Sequence, residues 1–164
     1  MKTVRVLMVC MGNICRSPTA EGVLRGKLQA AGLAHLVEVD SAGTHGYHAG
    51  EPPDPRAQKH AAARGYDLGR LRARRVSRDD FQAFDLILAM DEQNLEALQD
   101  LAPTQGRAKV GRLLQYARRH PGVDDVPDPY YGPPAGFDRV LDLVEDACEG
   151  LIEALKSRDV EGTS

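Results

Sequence analysis

The chain has 164 residues, of which 42% are hydrophobic and 5% aromatic, and its formal net charge at pH 7 is -3. This composition fits one domain with a hydrophobic core and excludes a globally basic surface for nucleic acid, and no apolar run approaches the roughly 20 residues that span a membrane. Three cysteines without a disulfide-like spacing favour a reducing compartment. We therefore expect a cytoplasmic protein that binds neither nucleic acid nor membrane.

Short apolar runs alternate with helical patterns along the chain, which is typical of a parallel sheet covered by helices. Three runs predict buried strands: Val4 to Val9, Leu36 to Asp40, and Asp85 to Met90. Apolar residues at helical spacing follow the first run and recur near the carboxyl end, where Cys148 lies on an apolar stripe and is expected to pack as a small hydrophobe. The predicted fold class is α/β, with one domain over residues 1–157 and a frayed tail over residues 158–164.

The stretch "VCMGNICRSPTAEG", residues 9–22, joins the first predicted strand to the first predicted helix. Ser17 suits the N-cap and Pro18 the first helical position. A turn of this kind offers free backbone N–H groups and a positive helix dipole to an anion. Gly12 and Asn13 tolerate the left-handed backbone that a tight loop requires. The sequence therefore predicts a phosphate-binding loop.

Cys10 is the last residue of the predicted strand, and Arg16 follows six positions later. The guanidinium of Arg16 can bind two phosphate oxygens at once, and a thiol in such surroundings is stabilised as a thiolate. A thiolate at the base of the loop can attack phosphorus and form a phosphocysteine. Neither Gly-Lys-Ser/Thr nor G-x-G-x-x-G is present, so a nucleotide-binding loop is not indicated.

Two stretches rich in glycine, proline and aspartate, residues 41–57 and 120–137, predict long loops of functional size. The second contains "DPYYG", in which Asp128 is a candidate general acid and Tyr130 and Tyr131 are candidate walls for a flat ring. Asp-Pro is common at turns, so Asp128 also has a purely structural interpretation.

Together, "VCMGNICRSPTAEG" and "DPYYG" resemble the low-molecular-weight protein tyrosine phosphatase family, in its bacterial form. The segments "DSAGTHGYHAGEPPDPRA" and "DLILAMDEQN" resemble further family segments in the expected order, so the resemblance covers nearly the whole chain. It implies a four-stranded parallel twisted sheet of flavodoxin-like type with helices on both faces, and no metal or organic cofactor.

By this resemblance, Cys10 is the nucleophile, Arg16 the phosphate clamp and Asp128 the general acid and then base. The phosphate-binding loop comprises Met11, Gly12, Asn13, Ile14, Cys15 and Arg16, and its supporting network comprises Asn13, Ser17 and Ser41. Ser17 and Ser41 also suit a helix cap and a turn, and these interpretations stay open. The implied partner is a tyrosine-phosphorylated protein, among bacterial relatives often a tyrosine kinase of polysaccharide export. Residue patterns do not set the oligomeric state, and a monomer is the default expectation.

The resemblance assigns the pocket walls to Ile14, Tyr47 and Tyr130, with Tyr131 beside them. Phosphoarginine phosphatases of this scaffold carry threonine at the position of Ile14, so the isoleucine favours phosphotyrosine. Tyr47 replaces a tryptophan of many relatives, and Leu71 replaces a histidine that supports the loop, which bears on pocket depth and loop rigidity.

Several further residues receive an interpretation. Cys15 is within reach of Cys10 if the loop curves as expected, so a protective disulfide is a hypothesis. Asp91 is expected to cap the helix after "LILAM". The arginines at 70, 72, 74, 75 and 78 form either a solvated face or a surface for an acidic substrate. His45, His48 and His60 have no metal-ligand spacing, so no metal site is expected.

Three alternative functions remain. An arsenate reductase shares the scaffold but needs two further cysteines on a mobile segment, and this chain has none between Arg16 and Ala147. A phosphoarginine phosphatase is opposed by Ile14. A non-catalytic module that binds phosphorylated ligands would lack the nucleophile or the acid, whereas Cys10, Arg16 and Asp128 are all present.

Overall fold

The structure, a computed structural model, describes the backbone of residues 3–162 and the side chains of residues 3–157. A frayed tail was predicted for residues 158–164. The side chains of these residues lie outside the described part of the chain, as does the backbone of residues 163–164.

Four parallel strands form one sheet in the order β2-β1-β3-β4, which confirms the predicted α/β class. Their bounds are β1 Val4–Cys10, β2 Val37–Gly43, β3 Leu86–Ala89 and β4 Lys109–Arg112. The helices are α1 Arg16–Ala30, α2 Pro55–Ala63, α3 Asp80–Ala83, α4 Glu92–Leu101 and α5 Ala135–Gly162. Short 3-10 helices cover Ala34–Leu36 and Leu113–Tyr116.

Both faces of the sheet are buried, because successive side chains of a strand point to opposite faces. On one face, Val6 and Met8 of β1 pack with residues of α1 and α5 in the larger core cluster. On the other face, Leu7 and Val9 pack with α3 and α4 in a second cluster. Strands buried on both sides are continuous apolar runs, which is why the first and third strands could be predicted.

Two parts of the sheet differ from the sequence-based prediction. Strand β2 continues through Ser41 and Ala42 to Gly43, because it pairs with β1 as far as Cys10. Ser41 is therefore a strand residue, and its interpretation as a turn residue is wrong. Strand β4 was not predicted from its residues: it is a half-buried edge strand in which Val110 is the single apolar side chain.

The order of the strands places the carboxyl end of β1 at a topological switch point, since β2 lies on one side of β1 and β3 on the other. Ligands of open parallel sheets bind at this edge. Cys10 is the last residue of β1, as predicted. Among the described residues, no helix is long and apolar enough to cross a membrane.

Candidate active site

Cys10 lies at the base of a cleft of about 440 Å³. Its side chain is buried, with 2% exposure, and its thiol is free. The backbone N–H of Asn13 donates to Cys10 Sγ at 3.2 Å, and Ser17 Oγ lies 3.0 Å from the same sulfur. Two polar groups therefore face the sulfur, as a thiolate requires.

The residues between Cys10 and α1 form a tight loop. Asn13 has a φ of 59°, the left-handed conformation that its residue type tolerates. Among the described residues, no acceptor faces the backbone N–H groups of Met11, Gly12, Ile14 or Cys15. These N–H groups at the start of a helix are available to an anion.

Arg16 is the first residue of α1, and its side chain is 3% exposed. Its Nη1 donates to Asp91 Oδ2 at 2.6 Å and to the carbonyl of Val126 at 3.0 Å. Burial acts to lower the pKa of Arg16, but nearby Cys10 and Asp91 outweigh it and raise that pKa. The guanidinium is therefore fixed and charged, and its Nε and Nη2 form no hydrogen bond with the described residues.

A buried hydrogen-bond network holds the loop in shape. Asn13 Nδ2 donates to Ser17 Oγ at 2.8 Å and to Ser41 Oγ at 3.0 Å, and Ser41 Oγ donates to Glu21 Oε1 at 2.7 Å. Arg25 Nη2 donates to the other oxygen of Glu21 at 2.6 Å. Burial raises the pKa of Glu21, while the bonds from Ser41 and Arg25 oppose that shift.

The remaining amide oxygen of Asn13 is also bound. It accepts the backbone N–H of Arg74 at 3.0 Å. Leu71 itself packs against the larger core cluster. The segment that carries Leu71 therefore supports the loop through a backbone group.

The start of α1 differs from the prediction. The helix begins at Arg16, with Cys15 at the N-cap and no side-chain capping bond. The assignments of Ser17 to the N-cap and Pro18 to the first helical position are therefore wrong. The physical reason is that Asn13 and Cys10 engage the Ser17 hydroxyl, which leaves it no capping role.

Asp128 borders the cleft opposite the loop, and its Oδ2 lies 3.8 Å from Arg16 Nη2. Its side chain is 43% exposed, and its Oδ1 accepts the backbone N–H of Tyr130 at 3.1 Å. The fold thus brings a carboxylate 112 residues after Arg16 in sequence into contact with that arginine.

The predicted wall residues all line the cleft, which contacts Ile14, Tyr47, Tyr130 and Tyr131. Tyr47 and Tyr131 are 86% and 95% exposed, whereas Tyr130 is half-buried. The rings of Tyr130 and Tyr131 meet edge to face with centroids 4.8 Å apart. The walls are therefore aromatic, as a flat substrate ring requires.

Arg56 connects the cleft wall to the loop of Asp128. Its guanidinium lies 5.3 Å from the Tyr130 ring and 4.9 Å from the Phe137 ring. Asp54 accepts two side-chain hydrogen bonds from Arg56, and its own backbone N–H donates to the Ile14 carbonyl at 2.8 Å. Tyr130 is therefore positioned by groups bound to the phosphate-binding loop.

The other two cysteines differ from Cys10. Burial, followed by the charge of Asp54, raises the pKa of Cys15 and keeps it a thiol. Cys148 is fully buried, and burial raises its pKa as well. Cys148 therefore packs as a small hydrophobe, and the described structure contains no relay cysteine for arsenate reduction.

Four residues of the site were missed or only partly interpreted from sequence: Glu21, Asp91, Arg56 and His48. Asp91 caps α4 by accepting the N–H of Asn94, as predicted, but it also holds Arg16. His48 lines the cleft and bonds Glu51 at 2.5 Å. For Glu21 the sequence offered one signal, an acidic residue in the first turn of the helix predicted to begin at Pro18. No cluster of three metal-ligating side chains occurs in the described part of the chain.

A free thiol, a buried guanidinium and open backbone amides lie together at a strand-to-helix turn, an arrangement that can bind an anion beside a nucleophilic sulfur. Comparison with known proteins is consistent with this arrangement. The sequence model of the family described as low molecular weight phosphotyrosine protein phosphatase matches residues 5–161. The chain therefore belongs to the low molecular weight phosphotyrosine protein phosphatase family.

Individual relatives cover nearly all of the chain. A low molecular weight protein-tyrosine-phosphatase of Streptomyces coelicolor is 49% identical over 98% of both chains. The crystal structure of a protein tyrosine phosphatase from Entamoeba histolytica superposes with a TM-score of 0.91, at 41% identity, over 96% of this chain and 99% of that one. A Drosophila arginine phosphatase superposes with a TM-score of 0.86 at 31% identity, over 92% and 97% of the two chains.

Proposed function

We propose that this protein hydrolyses phosphotyrosine on proteins through a phosphocysteine, with Cys10, Arg16 and Asp128 as the catalytic residues. The observation that carries the proposal is the position of Cys10 Sγ below open backbone amides and beside the buried Arg16 guanidinium. Phosphate bound by these amides would place its phosphorus next to the sulfur, as nucleophilic attack requires.

In the first step, Cys10 Sγ attacks phosphorus, a sulfur–phosphorus bond forms, and the phosphorus–oxygen bond to the tyrosine breaks. The Asp128 carboxyl gives its proton to the leaving phenolic oxygen. Backbone amides and Arg16 stabilise the charge on the phosphoryl oxygens. Ser17 Oγ lies 3.0 Å from the sulfur, where it can donate a hydrogen bond to the thiolate that attacks.

In the second step, Asp128 accepts a proton from water, the water oxygen bonds to phosphorus, and the sulfur–phosphorus bond breaks. Inorganic phosphate leaves and the Cys10 thiolate is restored. Both steps use residues of this chain alone and need neither a metal nor an organic cofactor.

The experiment that tests the covalent step is Cys10→Ser. A serine hydroxyl at this position lacks the reactivity of the thiolate, so we expect kcat on an aryl phosphate to fall by several orders of magnitude. Rapid quenching of the wild type should trap phosphate on Cys10 and none on the variant. Substantial turnover by Cys10→Ser would refute the mechanism.

Ile14 and the two tyrosines Tyr47 and Tyr130 support a phenyl ring as the leaving group. Peptides that carry phosphotyrosine, phosphoserine or phosphoarginine at the same position test this assignment. We expect phosphotyrosine to have the highest kcat/KM, because a flat ring contacts both aromatic walls. Faster hydrolysis of phosphoarginine would favour the alternative activity on the same scaffold.

We also propose that Cys15 protects Cys10 under oxidation by forming a disulfide with it. Peroxide converts the Cys10 thiolate to a sulfenic acid, and Cys15 then attacks that sulfur, loses its proton, and releases water as the disulfide forms. We expect reductant to restore activity to peroxide-treated wild type and not to Cys15→Ser. Equal recovery of both would contradict this role.

A substrate of this kind and a free nucleophilic thiol fit a reducing compartment such as the cytoplasm. A tyrosine kinase that carries phosphotyrosine is a suitable partner. Incubation with an autophosphorylated kinase tests this, and loss of its phosphotyrosine signal is the expected result.

A further inference from the structure

The arginine segment, residues 70–78, runs beside the wall loop, residues 43–51. Gly43 exchanges backbone hydrogen bonds with Arg74 and Val76, each 2.8 Å long. The backbone of Ala73 bonds Gly50 and Glu51 at 2.8 and 2.9 Å. These bonds hold the arginine segment against the loop that carries Tyr47.

The arginines of this segment have different surroundings. Arg74 is half-buried and forms ion pairs with Asp40 at 3.1 Å and Asp80 at 3.0 Å. Arg72 donates to the carbonyls of Gly69 and Leu71 in its own segment. Arg74 is therefore structural, and Arg72 is turned back onto its own backbone.

Arg75 is different because it is exposed, and no carboxylate of the described residues lies within 4.0 Å of its guanidinium. It packs on the wall loop: a Cβ built on Gly46 would lie 3.6 Å from Arg75 Cδ. Gly46 directly precedes Tyr47, which lines the cleft. Arg75 is thus an exposed cation without an ion-pair partner among the described residues, and its stem packs on the loop that carries Tyr47.

Neighbouring charges do not neutralise Arg75. Glu51 on the wall loop is bonded to His48, and Asp128 on the opposite rim faces Arg16. The guanidinium of Arg75 is therefore available to an acidic group of a substrate. Its field reaches about 8 Å at physiological ionic strength, which is the distance of a few residues of extended peptide.

We propose that Arg75 recognises an acidic side chain next to the phosphotyrosine, so that the substrates are phosphotyrosine segments flanked by aspartate or glutamate. The proposal rests on the phosphotyrosine activity proposed above. It separates Arg75 from Arg72 and Arg74, whose guanidinium groups bond within the protein.

The test uses two phosphotyrosine peptides of equal length, one with glutamate on both sides of the phosphotyrosine and one with glutamine there. Wild type, Arg75→Gln and Arg78→Gln are compared by kcat/KM. Arg78 is the matched control because it is an exposed arginine of the same segment whose carbonyl accepts the N–H of Phe81 in α3 rather than a group of the wall loop. Each value is divided by that variant's kcat/KM for p-nitrophenyl phosphate, so differences in active enzyme cancel.

We expect wild type and Arg78→Gln to prefer the glutamate peptide by about two- to fivefold, the range of an exposed ion pair. Arg75→Gln should lose this preference, and 0.5 M salt should reduce it in the wild type. The proposal is overturned if Arg75→Gln keeps the preference or if Arg78→Gln loses as much. Hydrolysis of neither peptide by the wild type would instead overturn the phosphotyrosine activity, so the two failures are distinguishable.

Discussion

At the scale of single residues, the site depends on side chains that serve two partners at once. Asn13 satisfies both ends of its amide, and Ser17 contacts both Cys10 and Asn13. Such networks in a low-dielectric interior are rigid when every group is paired. The network therefore fixes the shape of the loop.

Asp128 gives the first prediction at this scale. If Asp128 is the proton donor, as proposed, its replacement by asparagine should lower kcat most for aryl phosphates with poor leaving groups and least for those with acidic phenols. A series of substituted phenyl phosphates measures this slope. A loss of equal size across the series would remove Asp128 from the acid role.

Asp91 gives a second prediction for a single residue. Asp91→Asn keeps an oxygen for the cap of α4 but removes the charge that holds Arg16. A hydrogen bond to a charged group contributes about 1.5–3 kcal/mol. We therefore expect the inhibition constant of inorganic phosphate to rise, and kcat/KM to fall, by about tenfold or more.

Glu92→Gln is the matched control for Asp91, because Glu92 is the next residue and pairs with Arg112. It should leave phosphate inhibition unchanged. Thermal unfolding of both variants shows whether either one loses structure. An unaltered inhibition constant in Asp91→Asn would contradict the positioning of Arg16 by Asp91.

At the scale of elements, α5 packs tightly against the 3-10 helix Leu113–Tyr116. The contact is at Gly150, where an added Cβ would lie 1.9 Å from the Tyr116 carbonyl oxygen. A backbone atom cannot move away as a side chain can. Glycine is therefore required at this crossing, although glycine disfavours helix.

Gly150→Ala is the prediction at this scale. Overpacking should lower the free energy of unfolding by about 1–3 kcal/mol, in spite of the better helix propensity of alanine. Gly136→Ala, also in α5, is the control, because its Cβ would lie at an ordinary 3.4 Å from Pro129 Cβ. Urea unfolding measures both. Equal stability of the two variants would show that α5 and the 3-10 helix separate readily.

At the scale of the whole molecule, the long connection from β4 to the loop of Asp128 is anchored on α5 by Asp146. This buried carboxylate accepts the backbone N–H groups of Arg118 and Arg119 at 3.0 and 2.9 Å and bonds His120 at 2.8 Å. Burial alone would raise the pKa of Asp146, but these bonds outweigh it and lower that pKa.

A lowered folded-state pKa means that Asp146 stabilises the fold above the unfolded pKa of about 3.9. This contribution is lost as the pH falls through the folded pKa. We expect Asp146→Asn to lower the free energy of unfolding at pH 7 by about 1–3 kcal/mol. The difference from the wild type should shrink below about pH 4.

Urea unfolding at pH 7, 5 and 3 measures this dependence. Asp142→Asn is the control, since that carboxylate is exposed on the same helix and pairs with Arg64 at the surface. Its effect should stay within about 0.5 kcal/mol. If Asp146→Asn lowers the free energy of unfolding by the same amount at all three pH values, the stability does not depend on the ionisation of Asp146.

The chemistry proposed for the loop could be predicted from neighbouring residues. Cys10, Gly12, Asn13 and Arg16 lie within seven residues, so a strand-to-helix turn suffices to bring them together. The first and third strands were also predictable, because burial on both faces demands a continuous apolar run. Local patterns made Asp128, Tyr130 and Tyr131 candidates, and the family resemblance added their assigned roles, the wall residue Tyr47 and the four-stranded sheet.

The groups that contact the loop from distant parts of the chain could be identified only in the folded structure. Asp91 is 75 residues from Arg16, and the backbone of Arg74 is 61 residues from Asn13. The hydroxyl of Ser17 does not cap α1, because the turn from β1 to α1 places Cys10 and Asn13 within its reach. Such contacts depend on how strands order and helices pack, whereas local sequence patterns report only on burial and on backbone conformation.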